Sequence, residues 1–93
     1  MAMAFIHRFS DPLEDDEGRA YRVEAHGHLA ETGLWEGWLE FFGVGRTVVL
    51  TTAVETHQPD ERALRYWATG LQKSYLEGAL ARAVRARMGA LRR

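Results

Sequence analysis

The fold is decided by two neighbouring stretches, AYRVEAHGHL at residues 20–29 and LWEGWLEFF at residues 34–42. From Tyr21 onward, apolar or small residues at odd positions alternate with charged residues and histidines at even positions. The second stretch alternates in the same way, with aromatic residues on both sides. A period of two is typical of a strand that has one face on a core and the other in water. The turn residues 31–33 are few enough to join the stretches as an antiparallel hairpin.

The flanking sequence adds strands to this hairpin. Residues 5–10 alternate over a short strand, and the β-branched, apolar run at residues 46–55 favours another. Between the first two strands, residues 11–18 contain five acidic side chains with Pro12 and Gly18, which is typical of a solvated loop. The short turns predict an antiparallel meander of three to four strands.

The pattern becomes helical near Pro59, since proline suits the first position of a helix. Two apolar stripes follow, rotated relative to each other, and one straight helix cannot bury both against the same sheet. We therefore expect two helices, or one helix bent near Gly70 or Gly78. The first stripe places Trp67 on the sheet, and the second needs a further surface, either the far end of the sheet or another copy of the chain. The second stripe contains Leu76, Ala79, Leu80, Ala83, Val84 and Leu91.

These patterns predict an α+β domain, in which an antiparallel meander precedes a long, broken C-terminal helix that packs on one sheet face. With 93 residues, the chain is expected to be a single domain. Its parts are an N-terminal strand and acidic loop at 1–19, an antiparallel sheet at 20–56 and a helical segment at 58–91.

Composition limits the function classes. The chain has no cysteine, which excludes disulfides, thiolate metal sites and a cysteine nucleophile. Its net charge of −1 gives no general attraction to nucleic acid or membrane. No apolar run is long enough to span a membrane, and no secretory signal opens the chain, so we expect a cytoplasmic protein without a membrane partner. No catalytic frame and no cofactor-binding loop is recognisable, so enzymatic activity is not favoured and no cofactor is expected.

One pattern has metal-ligand character. His26 and His28 lie two residues apart and point to the same face of the predicted strand, where imidazole nitrogens can bind zinc, copper or nickel. A third ligand is not placed by the sequence, so the alternative is a solvated strand face without metal. A small metal-dependent enzyme that uses these histidines is the third functional reading.

The C-terminal arginines suggest a second reading. Arg82, Arg85 and Arg92 are spaced along a helical segment and could contact phosphates, as in a nucleic-acid-associated or antitoxin-like regulator. Cations at a helix C-terminus also offset the helix dipole without binding any ligand. The neutral overall charge does not favour nucleic acid.

The leading reading is a non-enzymatic interaction module that self-associates as a homodimer or binds a protein partner. Trp38 and Phe42 lie on the strand face that also carries the charged residues, and aromatics on a wet face are common interface anchors. The alternative is that both sheet faces are partly covered, one by the helix and the other by a loop or terminus. The second helical stripe offers another surface, through Leu76, Leu80 and Val84.

Several segments resemble a small group of uncharacterised bacterial proteins of similar length. The resemblance lies in Glu-Thr-x-Gln-Pro-Asp at residues 55–60, Tyr-Trp-Ala-x-Gly-Leu at 66–71 and Tyr-Leu-Glu-Gly-Ala-Leu at 75–80, and it implies no activity and no site residues. Residues 33–37, Gly-Leu-Trp-Glu-Gly, are similar to a strand of HicB-type antitoxins, which implies a partial RNase H-like sheet.

Overall fold

A computed structural model describes residues 3–91. The hairpin at its centre joins β3 (Ala20–Leu29) to β4 (Trp35–Gly43), paired antiparallel from Tyr21 with Gly43 to Leu29 with Trp35. Gly33 has a φ of +88° in the connecting turn, a conformation that glycine adopts without strain. The alternating pattern therefore predicted this hairpin correctly, because the odd-numbered residues from Tyr21 to Gly27 and from Gly37 to Phe41 are buried.

Four further strands complete a single antiparallel sheet. β1 (Ala4–Arg8) and β2 (Leu13–Glu14) pair with successive parts of β3, and β5 (Val49–Thr51) and β6 (Thr56–Gln58) pair with successive parts of β4. The main path runs β1-β3-β4-β5. The antiparallel α+β fold with a C-terminal helical layer is confirmed, and the short strands β2 and β6 add to the predicted four.

Both lateral strands are interrupted. In β1 the register shifts between Phe5 and His7, which makes Ile6 a β-bulge, and the Arg65 guanidinium donates to the Ile6 carbonyl at 2.7 Å. On the other side, the prediction of one strand over residues 46–55 is wrong. Only Val49–Thr51 pair as β5, and residues 52–55 leave the ladder between β5 and β6. The Thr52 hydroxyl there accepts a hydrogen bond from the Leu39 N–H at 3.0 Å and replaces a strand partner.

The helical segment begins later than predicted. Glu61, not Pro59, is the first helical residue, and Asp60 is the N-cap, whose carboxylate accepts from the Ala63 N–H at 2.8 Å. Helix α1 (Glu61–Thr69) ends at Gly70, and α2 (Lys73–Leu91) follows. The predicted break at Gly70 is confirmed, whereas α2 continues unbroken through Gly78.

Both helices pack on the same face of the sheet. Leu64 of α1 is fully buried and sits against Gly27 and Gly37, which are paired across β3 and β4. Trp67 packs against the margin of this core, as predicted, but it is only half-buried, and Leu64 is the more deeply buried side chain of α1. The shared core consists of Ile6, Leu13, Tyr21, Val23, Ala25, Leu39, Phe41, Leu50, Leu64, Ala68, Leu76, Ala79, Leu80 and Ala83.

The second stripe packs on this same sheet. Leu76 and Leu80 are 6% and 2% exposed, whereas Leu91 is 70% exposed. The sheet therefore covers the first part of the stripe, and the C-terminal end exceeds what the sheet can cover. The neighbouring Met88 is 48% exposed. Neither described helix is long and apolar enough to cross a membrane.

Candidate functional site

Two surfaces contain the predicted site residues. We call the first the open sheet face: it is the face opposite the helices, formed by the even-numbered residues of β3 and β4. We call the second the α2 cleft, which lies between the C-terminal half of α2 and the sheet end near the β2–β3 loop.

The predicted metal pair lies on the open sheet face, but each histidine has a carboxylate partner. His26 Nε2 is 2.9 Å from Glu24 Oε1, and His28 Nε2 is 2.9 Å from Glu36 Oε1. His57, from β6, lies 3.3 Å from the other oxygen of Glu36. Within residues 3–91 no three histidine, cysteine, aspartate or glutamate side chains converge as a metal site requires. The geometry therefore gives imidazole–carboxylate contacts in which Glu36 lies between His28 and His57, and His26 lies between Glu24 and Glu40.

These pairs lower the pKa of two carboxyl groups. For Glu36, the hydrogen bond from His28 is the main cause and outweighs the opposing effect of burial. For Glu24, burial alone would raise the pKa, but hydrogen bonds from His26 and Arg8 outweigh it. Arg8 donates twice to Glu24, at 2.9 and 3.1 Å. Both glutamates are thus held ionised, as expected for charge partners across a sheet.

The aromatic anchors of this face are less available than predicted. Trp38 is only 9% exposed, since its ring meets His28 edge-on at 5.3 Å and its indole N–H donates to Glu40 at 2.9 Å. Phe42 is half-buried. The prediction that Trp38 stands on a wet face is therefore wrong: same-face side chains cover it without any helix. A tryptophan already packed in this way has little area to offer a partner.

The α2 cleft has a volume of about 780 Å³. Its floor is apolar, formed by Val48, Leu50 and Leu80, and Val84, Met88 and Leu91 continue it along α2. A volume of this size falls within the range of binding pockets in proteins. Of the interaction residues predicted on α2, Leu80 and Val84 line the cleft and Leu76 lies in the core below it.

One wall of the cleft is acidic and well ordered. The Asp15 carboxylate accepts hydrogen bonds from the backbone N–H groups of Glu17 and Arg19, from the Arg19 guanidinium and from the Tyr21 hydroxyl, all at 2.9–3.0 Å. Although burial alone would raise the pKa of Asp15, these bonds hold it well below its usual range. The predicted solvated loop is thus a tight turn, and Asp15 is a residue that sequence reasoning missed. Its signal was Leu13, the one apolar residue among the acids, which is 3% exposed.

The C-terminal arginines do not form one continuous face for phosphates. Arg82 donates to Glu55 at 2.6 Å, and the Tyr75 hydroxyl donates to the same carboxylate oxygen. Burial and Glu55 together raise the pKa of Tyr75. Arg85 instead lines the α2 cleft, opposite the acidic wall, and Arg92 lies outside the described residues. An acidic wall beside Arg85 opposes the approach of phosphate.

Comparison with known proteins adds no family to this description: neither a family model, nor a curated protein, nor a solved structure matches the chain.

Proposed function

We propose that this protein is a non-enzymatic interaction module that self-associates through the α2 cleft. The observation that carries the proposal is the apolar end of α2, where Met88 and Leu91 are 48% and 70% exposed beside an apolar cleft. Exposed apolar side chains that adjoin a cleft mark binding surfaces more often than isolated ones do. Fully burying a leucine or methionine side chain stabilises by about 1.5–3 kcal/mol, so covering this end favours association.

The α2 cleft is a better candidate than the open sheet face. The charged side chains in the centre of that face already pair with one another, and Trp38 is almost fully covered. The α2 cleft, in contrast, has large apolar side chains that still face solvent. Interfaces derive most of their affinity from such side chains when they become desolvated.

Sedimentation velocity tests the proposal. The wild-type chain is expected to sediment as a dimer at high micromolar concentration and to dissociate on dilution. Met88→Asp and Leu91→Asp should shift it to monomer, since each places a charge in the proposed interface. Tyr66→Asp is the matched control, because Tyr66 is 83% exposed on α1, away from the cleft.

Circular dichroism should show the same helix content in all four proteins, so that loss of association is not loss of folding. A wild-type chain that stays monomeric across the whole concentration range would overturn the proposal. So would Asp variants at positions 88 and 91 that dimerise as tightly as the Tyr66→Asp control.

A further inference from the structure

We infer that the partner in the α2 cleft is a second copy of this chain, selected by reciprocal charge: Arg85 and Arg87 of each copy pair with Glu14 and Asp16 of the other. This inference rests on the proposed function and specifies its partner. The cleft has an apolar floor and one acidic wall, so it suits an occupant that has an apolar stripe with basic side chains beside it, and the end of α2 has this composition.

The layout of α2 is the first support. At 100° per residue, Val84, Met88 and Leu91 fall within a narrow stripe, and Arg85 and Arg87 flank it on opposite sides. All five residues line the α2 cleft. A second α2 that enters the cleft therefore presents its apolar stripe to the floor and one arginine to each side.

The acidic wall is the second support. Glu14 and Asp16 are exposed on the same cleft, and within residues 3–91 neither they nor Arg85 and Arg87 belong to an ion pair. The wall is also rigid, since the four hydrogen bonds to Asp15 hold the turn. Rigid charges cost little entropy when a partner arrives, and complementary potentials select that partner.

Two-fold symmetry makes a second copy the matching occupant. In an isologous dimer each contact occurs twice, so one acidic wall and one basic helix end per chain give two complete charge contacts. An unrelated basic helix would pair with the acidic wall but would bring no carboxylates of its own for Arg85 and Arg87 of this chain. A second copy satisfies both sets.

Charge reversal tests the inference through two variants. The wall variant is Glu14→Lys with Asp16→Lys, and the helix variant is Arg85→Glu with Arg87→Glu. All four positions are exposed, so both variants are expected to fold. Each variant alone should self-associate with a dissociation constant raised about tenfold or more, because like charges then face each other across the two-fold axis.

Mixing the two variants restores opposite charges at both contacts, so native mass spectrometry should show the heterodimer in preference to either homodimer. Combining all four substitutions in one chain should restore the homodimer. In the wild type, added salt should weaken association, since charges are screened beyond about 8 Å at physiological ionic strength.

The outcomes separate the two proposals. Variants that each dimerise as well as the wild type would overturn the charge pairing and leave self-association standing. Two monomeric variants that do not combine when mixed would also overturn it. A monomeric wild type would overturn both proposals.

Discussion

Leu64 should be the most sensitive single position of the fold. Its side chain is fully buried, and a methyl group built on Gly27 or Gly37 would lie only 2.5 Å from one of its terminal carbons. Leu64→Ala leaves a void walled by sheet backbone, which cannot collapse around it. We expect a loss of about 3–5 kcal/mol in the free energy of unfolding, a large part of the total for a domain of this size.

The fit between Leu64 and the glycines can be isolated by a double-mutant cycle. Gly37→Ala alone overfills the site and should cost about 1–3 kcal/mol. In the Leu64→Ala background the added methyl meets space, so the same change should cost about 1–2 kcal/mol less. Gly27→Ala is the control: its methyl would also lie 2.8 Å from the backbone oxygen of Glu36, a clash that shortening Leu64 does not relieve.

Urea denaturation of the five variants and the wild type measures these differences through the transition midpoint. If the double variant loses the sum of the free energies lost by Gly37→Ala and Leu64→Ala alone, the account of Leu64 as a side chain fitted between two glycines is refuted. Full rescue of Gly27→Ala by Leu64→Ala would refute the role given to the backbone clash.

Three further predictions concern the two surfaces. Asp15→Ala should lower the melting temperature, because four hydrogen bonds lose their acceptor. Asp11→Asn, at an exposed position outside the α2 cleft, should leave it unchanged, and equal effects would argue against the ordered turn. The pKa of Glu36 in the folded protein lies below its ordinary value of 4.5, so its ionised form contributes stability above pH 4.5, and this stability is lost as the pH falls through the folded-state pKa. Glu36→Gln should therefore make the melting temperature less dependent on pH in the acidic range, and identical profiles for variant and wild type would contradict this contribution. Trp38→Ala should lower the free energy of unfolding by about 3 kcal/mol, measured by chemical denaturation, and should lower it more than Trp67→Ala does, since Trp38 is the more deeply buried ring. The reverse order would show that the open sheet face does not stabilise the fold.

The strands of the central hairpin could be predicted because their pattern is local. Alternation in β3 and β4 is read directly along the chain, and the odd-numbered residues in the middle of both strands are buried as expected. Gly70 could also be predicted as the end of α1, since it lies where the first apolar stripe gives way to the second and glycine is common at helix ends. These signals depend only on near neighbours in sequence.

The broken edge could not be predicted in this way. β6 contains Thr56, His57 and Gln58, which have no apolar periodicity, and it exists because β4 is long enough to pair with two short strands. Residues 46–55 have strong β propensity throughout, yet only three of them pair as β5. Whether β6 and residues 46–55 form strands depends on their pairing with β4, which is distant in sequence, and local β propensity does not predict such pairing.

The candidate sites show the same division. Sequence alternation placed His26 and His28 on one face correctly, but it could not show that each has its own carboxylate partner. It also grouped Leu76, Leu80 and Val84 as one surface, whereas the sheet covers the first two. How far a helix extends past the sheet is a property of the whole fold, and this decides which part of a stripe stays in solvent.

The interruptions of both outer strands have a consequence for assembly. A regular edge strand offers free N–H and C=O groups and invites another chain to extend the sheet into a fibre. Here the bulge at Ile6, with Arg65 on its carbonyl, breaks one edge. A bulged strand also twists away from a flat partner. The loop at residues 52–55 breaks the other edge. Copies of this chain are therefore discouraged from joining edge to edge, and crowding at high concentration should not drive continuous β-sheet growth.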